Sequence, residues 1–155
     1  MTPKPIAPQG GSWPKSRSKR SGRTGGEELP ARILLVSPTA EDHITLRRIL
    51  RDPPWHISFV GGCAEAIAHL TEQQVSIVLC DSELPAGSWR EILDHVALSP
   101  EPPILIVASR LANDSLWAEV LNLGGYDVLC KPFNDQELRR VIEAAWLRPD
   151  RSSAQ

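Results

Sequence analysis

Five short apolar runs, each followed by a longer stretch of helical periodicity, set the plan of the chain. The runs are residues 32–36, 56–60, 75–80, 104–108 and 127–130. The first, third and fourth are almost continuously Val, Ile and Leu, the pattern of strands covered on both faces. The second alternates apolar and polar positions. Between them lie segments with apolar residues three and four apart. In the first helix these are Ile44, Ile49 and Leu50, in the second Ala64, Ile67, Ala68 and Leu70, and in the fifth Val141, Ile142 and Ala145. The third and fourth helices are expected over residues 89–98 and 111–123.

Turn chemistry separates these elements. Asp52-Pro-Pro54 stops the first helix, Gly61-Gly62 and Gly124-Gly125 turn the chain, and Pro100 to Pro103 form a stiff loop. Thr39-Ala-Glu-Asp42 and Asn134-Asp-Gln-Glu137 both read as capping boxes. Strands alternating with helices predict an α/β domain of three layers, α/β/α, around a parallel sheet. Residues 31–147 make up this domain. Residues 1–30, rich in Pro, Gly, Ser and Lys/Arg, read as a disordered basic tail, and residues 148–155 as a polar C-terminal tail.

Asp81 ends the third run. In an open parallel sheet the carboxyl ends of the strands are where ligands bind. Ile77-Val-Leu-Cys-Asp-Ser-Glu-Leu-Pro85 resembles the phosphoacceptor segment of the receiver domain of two-component response regulators. Leu129-Cys-Lys-Pro-Phe133 is similar to the Lys-Pro-Phe signature that closes that domain, and the spacing of Asp81 and Lys131 fits it. The resemblance implies a flavodoxin-like fold with strand order 2-1-3-4-5 and a role in phosphorelay signalling. It makes Asp81 the phosphoacceptor and Lys131 the stabiliser of the phosphoryl charge, with a sensor histidine kinase or phosphotransfer protein as partner. Such a domain is a signalling module and not an enzyme. Its docking face is helix 4, strand 5 and helix 5, here with Leu116, Trp117, Val120, Arg139 and Arg140 on or near it.

Several positions depart from the family pattern. Ser37 and Pro38 stand where an acidic pair would hold Mg²⁺, so the ion loses two carboxylate ligands. Ala108 takes the place of the Ser/Thr that contacts the phosphoryl group; Ser109, one residue late, is the candidate to stabilise that group with Lys131 if the strand has ended before it. Val128 stands where the family has a switch aromatic, and Tyr126 is two residues earlier. Glu83 borders the site and, with Asp81, is the carboxylate left for a weak metal site. Glu41 and Asp42 are expected to face solvent or serve the cap. These losses support an alternative, a pseudo-receiver that binds proteins without phosphotransfer.

Charge and cysteine content add two points. Six Lys/Arg against Glu27 and Glu28 give residues 1–30 a charge of +4, leaving −6 for the rest of a chain whose net charge is −2. A nucleic-acid role for that tail is a remote alternative, as it holds no aromatic for base stacking within its basic cluster. Cys63, Cys80 and Cys130 have neither disulfide-framework nor zinc spacing and read as small buried side chains. His43, His56, His69 and His95 are scattered. No apolar run reaches the ~20 residues of a membrane span, and residues 1–30 hold no signal-peptide core. The expected location is cytoplasmic.

Overall fold

The computed structural model describes residues 31–147; both tails lie outside the described residues. Five strands, β1 (Ala31–Val36), β2 (Trp55–Val60), β3 (Ile77–Asp81), β4 (Ile104–Ser109) and β5 (Asp127–Cys130), form one sheet. Its order is β2-β1-β3-β4-β5, and every neighbouring pair is parallel. The helices between them are α1 (Ala40–Ile49), α2 (Cys63–Glu72), α3 (Trp89–Val96), α4 (Asp114–Leu123) and α5 (Asp135–Trp146).

Because side chains alternate along a strand, each strand feeds two separate cores. Ile33, Leu35, Ile77, Leu79, Ile106 and Leu129 point to the face covered by α1 and α5, where they meet Leu46, Ile49, Leu138, Val141 and Ile142. Leu34, Val36, Val78, Cys80, Val107 and Val128 point the other way, to Cys63, Ala66, Trp89, Ile92 and Val120 on α2, α3 and α4. At the amino edge Trp55, which opens β2, meets Trp146, near the end of α5, edge to face with centroids 6.1 Å apart. α1 and α5 are joined by Arg48–Asp135 at 3.0 Å, and Arg139 donates to the Ile49 carbonyl at 3.0 Å.

The helical phase differs from expectation in two places. Ile44 is 68% exposed, and Leu46 takes the core position in α1. In α2 the buried positions are Cys63 and Ala66, while Ala64 and Ala68 are exposed. Short helices with small or β-branched residues carry a weak periodic signal, so a shift of one or two positions escapes the pattern. Cys63 and Cys80 are buried as expected, but Cys130 is exposed at the end of edge strand β5. Burial pushes the Cys63 thiol up, and burial together with the neighbouring Asp81 charge pushes the Cys80 thiol far up, so both stay protonated.

The caps also divide. Asn134 accepts from the Glu137 amide at 2.8 Å, as its sequence signature predicts, and Asn113 and Ser88 cap α4 and α3 in the same way. Thr39 sits at the N-cap of α1 in extended backbone yet makes no side-chain cap bond. Gly124 ends α4 at φ 110°, the left-handed conformation that favours glycine.

Gly87 holds the turn that leads from β3 into α3, at φ 83°. A Cβ there would stand 2.6 Å from Cys63 Cβ. Gly87→Ala therefore combines left-handed strain with a clash against the start of α2. We expect it to lower stability by about 1–3 kcal/mol, read as a reduced urea midpoint at unchanged m-value.

Candidate functional site

Three loops and one helix meet at the carboxyl edge of the sheet. The period-two pattern that places Leu35, Leu79 and Leu129 on the α1/α5 face carries on to Ser37, Asp81 and Lys131. All three are buried, with 1%, 6% and 6% of their surfaces exposed. β1 and β3 are neighbours at the point where the strand order reverses, so Ser37 and Asp81 are adjacent although 44 positions separate them in the sequence.

Lys131 Nζ donates to Asp81 Oδ2 at 2.7 Å and to Asp42 Oδ2 at 2.6 Å. Ser37 Oγ also donates to Asp42 Oδ2, at 2.7 Å, while accepting from the Thr39 amide at 3.1 Å. The remaining oxygen of Asp81, Oδ1, accepts from the Glu83 amide at 3.0 Å. His43 Nε2 donates to the Ser37 carbonyl at 3.0 Å, and its ring stacks on Phe59 at 4.7 Å. The peptide bond between Lys131 and Pro132 is cis.

The expectation for Asp42 is thus corrected. It neither faces solvent nor closes a capping box. It is buried, and its carboxylate turns away from the helix amides toward an ammonium and a hydroxyl. A charge-assisted bond to a buried lysine outcompetes a bond to an exposed backbone amide. One signal in the sequence pointed to it. The first turn of any helix that follows a parallel strand lies at the carboxyl edge, so an acid in that turn is within reach of the site.

The other predicted positions fall as follows. Pro38 follows Ser37 in the β1–α1 loop and brings no side-chain ligand. Glu83 is exposed, and only its backbone amide meets Asp81. Among the described residues, no hydrogen bond or ion pair joins its carboxylate to Asp42, Asp81 or Lys131. Ala108 is the register partner of Asp81 and shares its face without a polar atom. Ser109 is still within β4 and pairs with Cys130. Its hydroxyl accepts from the Leu111 amide at 3.0 Å. Val128 is buried on the opposite face, in the α2–α4 core. Among the described residues, no group of three or more His, Cys, Asp and Glu side chains is placed to hold a metal ion.

Burial of Lys131 works against its charge. The hydrogen bonds to Asp42 and Asp81, together with the pull of both carboxylates, outweigh that cost and hold its pKa above the ordinary lysine value. The triad carries two negative charges and one positive, so it retains a net charge of −1.

A parallel 2-1-3-4-5 sheet with an acid at its switch point, met there by a lysine that follows the edge strand, defines the receiver class of α/β domain. The profile of the response regulator receiver domain matches residues 33–143, and the chain belongs to that family. It is 30% identical over 125 residues to the hydrogenase transcriptional regulatory protein HoxA of Cupriavidus necator, covering 77% of this chain and 26% of that protein. It is 25% identical to a probable chemotaxis protein CheY of Rhizobium etli, covering 74% of this chain and 92% of that one. This chain spans about a quarter of the length of several transcriptional regulators that it resembles. The receiver domain of a LuxO-type repressor from Vibrio parahaemolyticus superposes with a TM-score of 0.70 at 24% identity, over 76% of this chain and 94% of that one. CheY4 of Vibrio cholerae does so with a TM-score of 0.69 at 17% identity, over 76% and 99%. Among the described residues, no helix is long and apolar enough to cross a membrane.

Removing the ammonium with Lys131→Met leaves two buried carboxylates unpaired, and we expect a loss of about 3–5 kcal/mol at neutral pH. The raised lysine pKa gives the sign of the alkaline limb. The contribution of Lys131 is full below its unfolded value of ~10.4 and is lost as pH rises through the higher folded value. Chemical denaturation of the two proteins from pH 7 into the alkaline range should show their stabilities converging.

Proposed function

We propose that this receiver domain serves two-component signalling as a protein-docking module held in one state by an internal ion-pair network, without phosphotransfer to Asp81. Receiver domains interact with histidine kinases or phosphotransfer proteins and with effector domains, and are in general signalling modules and not enzymes. The observation that carries the reading is the division of Lys131 between Asp42 and Asp81. The lysine that would neutralise a phosphoryl oxygen is already committed to two carboxylates.

Two further features support it. Mg²⁺ demands near-octahedral oxygen coordination at short distances. The donor set here is two carboxylates that Lys131 already bridges, plus a neutral serine, and it does not fit that ion. Ala108 supplies no hydroxyl beside Asp81. On the docking face formed by α4, β5 and α5, Leu116 and Trp117 are half-buried against the core and Arg140 is exposed. Val120 is fully buried and lies outside the accessible surface, whereas Arg139 is exposed and reaches to the end of α1. A histidine kinase, phosphotransfer protein or downstream effector would meet this face in the cytoplasm.

A second reading, Asp81 as a working phosphoacceptor, is favoured by the direct Asp81–Lys131 contact. The two readings separate in one titration. We expect wild-type protein to show no saturable shift near Asp81 with Mg²⁺ and beryllofluoride (a phosphoryl mimic) by NMR, matching Asp81→Asn. Saturable binding at millimolar Mg²⁺ that Asp81→Asn abolishes would establish the phosphoacceptor reading in its place.

A further inference from the structure

We propose that the outer face of α2 and α3 is a docking surface for the basic segment Lys15–Arg23 of this same chain, seated in cis. None of the residues involved belongs to the carboxyl-edge site, so the inference stands apart from the behaviour of Asp81.

The two helical layers differ in charge. On one side of the sheet, α1 and α5 hold five Asp/Glu against four Arg. On the other, α2, α3 and α4 hold six Asp/Glu against Arg90 alone, and Arg90 is already taken by Glu119 on α4. α2 carries no Lys or Arg at all. Among the described residues, no hydrogen bond or ion pair engages the exposed carboxylates of Glu72 and Asp94.

The placement of these two acids points to a cation from outside the helices. Glu72 is the last residue of α2, and Asp94 lies in the last turn of α3. There the helix dipole presents its negative end, so each carboxylate is repelled by its own helix. A basic partner relieves the repulsion at both ends together.

The sheet brings that surface to the point where residues 1–30 join the domain. α2 runs antiparallel to the strands, so its acidic end lies at the amino edge. The chain that leaves it pairs with the start of β1, the Ser76 amide donating to the Arg32 carbonyl at 2.9 Å. Ile104 in turn donates to the Ser76 carbonyl at 2.9 Å, and Gln74 Nε2 to Glu101 at 3.0 Å, which adds Glu101 to the same edge. Lys15–Arg23 holds five Lys/Arg and no acid. Arg23 is eight positions before Ala31, a span of up to ~28 Å when extended. α2 itself is only ~15 Å long, so the basic segment can lie along it without loosening β1. Joined to the same chain, it meets the acidic face at a high effective concentration.

The test compares amide NMR spectra of the full chain with two full-chain variants. The first replaces Lys15, Arg17, Lys19, Arg20 and Arg23 with Gln; the second carries Glu72→Gln, Asp94→Asn and Glu101→Gln. Unmoved strand resonances report an intact fold, and all the changed side chains of the second variant are exposed. At ~0.01 M salt, where charges act over ~30 Å, we expect the neutralised segment to shift amides of α2, α3 and residues 99–101 and to leave α1 and α5 in place. The second variant should shift the amides of residues 15–23. Both differences should vanish near 1 M salt, where the screening length falls to ~3 Å, and should not change with protein concentration. Unmoved α2 and α3 resonances in the first variant would overturn the proposal. With them, weakened binding of a DNA oligonucleotide would assign the segment to nucleic acid. Shifts confined to α1, α5 or the carboxyl edge would overturn it too. Shifts that grow with protein concentration would do the same, by making a second copy the occupant.

Discussion

One ammonium shared by two buried carboxylates is the constraint on which the carboxyl edge of this domain depends. Lys131 follows the edge strand β5, Asp81 ends the central strand β3, and Asp42 comes from the first turn of α1. The contacts at 2.6 and 2.7 Å therefore tie together three parts of the fold that the sheet alone leaves apart. Charges are tolerated in such a place only when paired and hydrogen-bonded. Lys131 reaches Oδ2 of both carboxylates, Ser37 adds a second bond to Asp42 Oδ2, and the Glu83 amide donates to Asp81 Oδ1. The arrangement resembles a metal site in which a protein cation occupies the middle.

The two half-cores explain why this edge is rigid enough to hold the arrangement. Strands covered on both faces present a continuous apolar interior, and the last residue of each inward series is the one that becomes polar. Leu35 gives way to Ser37, Leu79 to Asp81 and Leu129 to Lys131. The site is thus the end of a packed column of Ile and Leu side chains. Its geometry is inherited from that packing rather than from the surface loops.

The strands were legible because buried parallel strands carry an unbroken apolar signal, and their boundaries agree with the structure to within two residues. Asp81 and Lys131 were legible because motif and spacing agreed. The phase of α1 was not, since Ile44 and Leu46 are equally apolar and only the packing of α1 on the sheet selects between them. Asp42 escaped for a related reason. At the third position of a helix, an aspartate after Thr39 has a local role available, and local reasoning assigns it that role. The competing partner, Lys131, is 89 positions away, and nothing within a short window shows that it will arrive there.

The packing of Trp146 on Trp55 has a topological consequence. Ala31 opens β1 opposite Trp55, and α5 ends beside the same tryptophan, so the chain enters and leaves the described domain at the amino edge of the sheet. The carboxylates lie at the other end of strands of five or six residues, roughly 20 Å away. Whatever is joined to either end therefore starts from the pole opposite the ion pair. It can influence the pair only by reaching along the full length of the sheet or by acting through the helices.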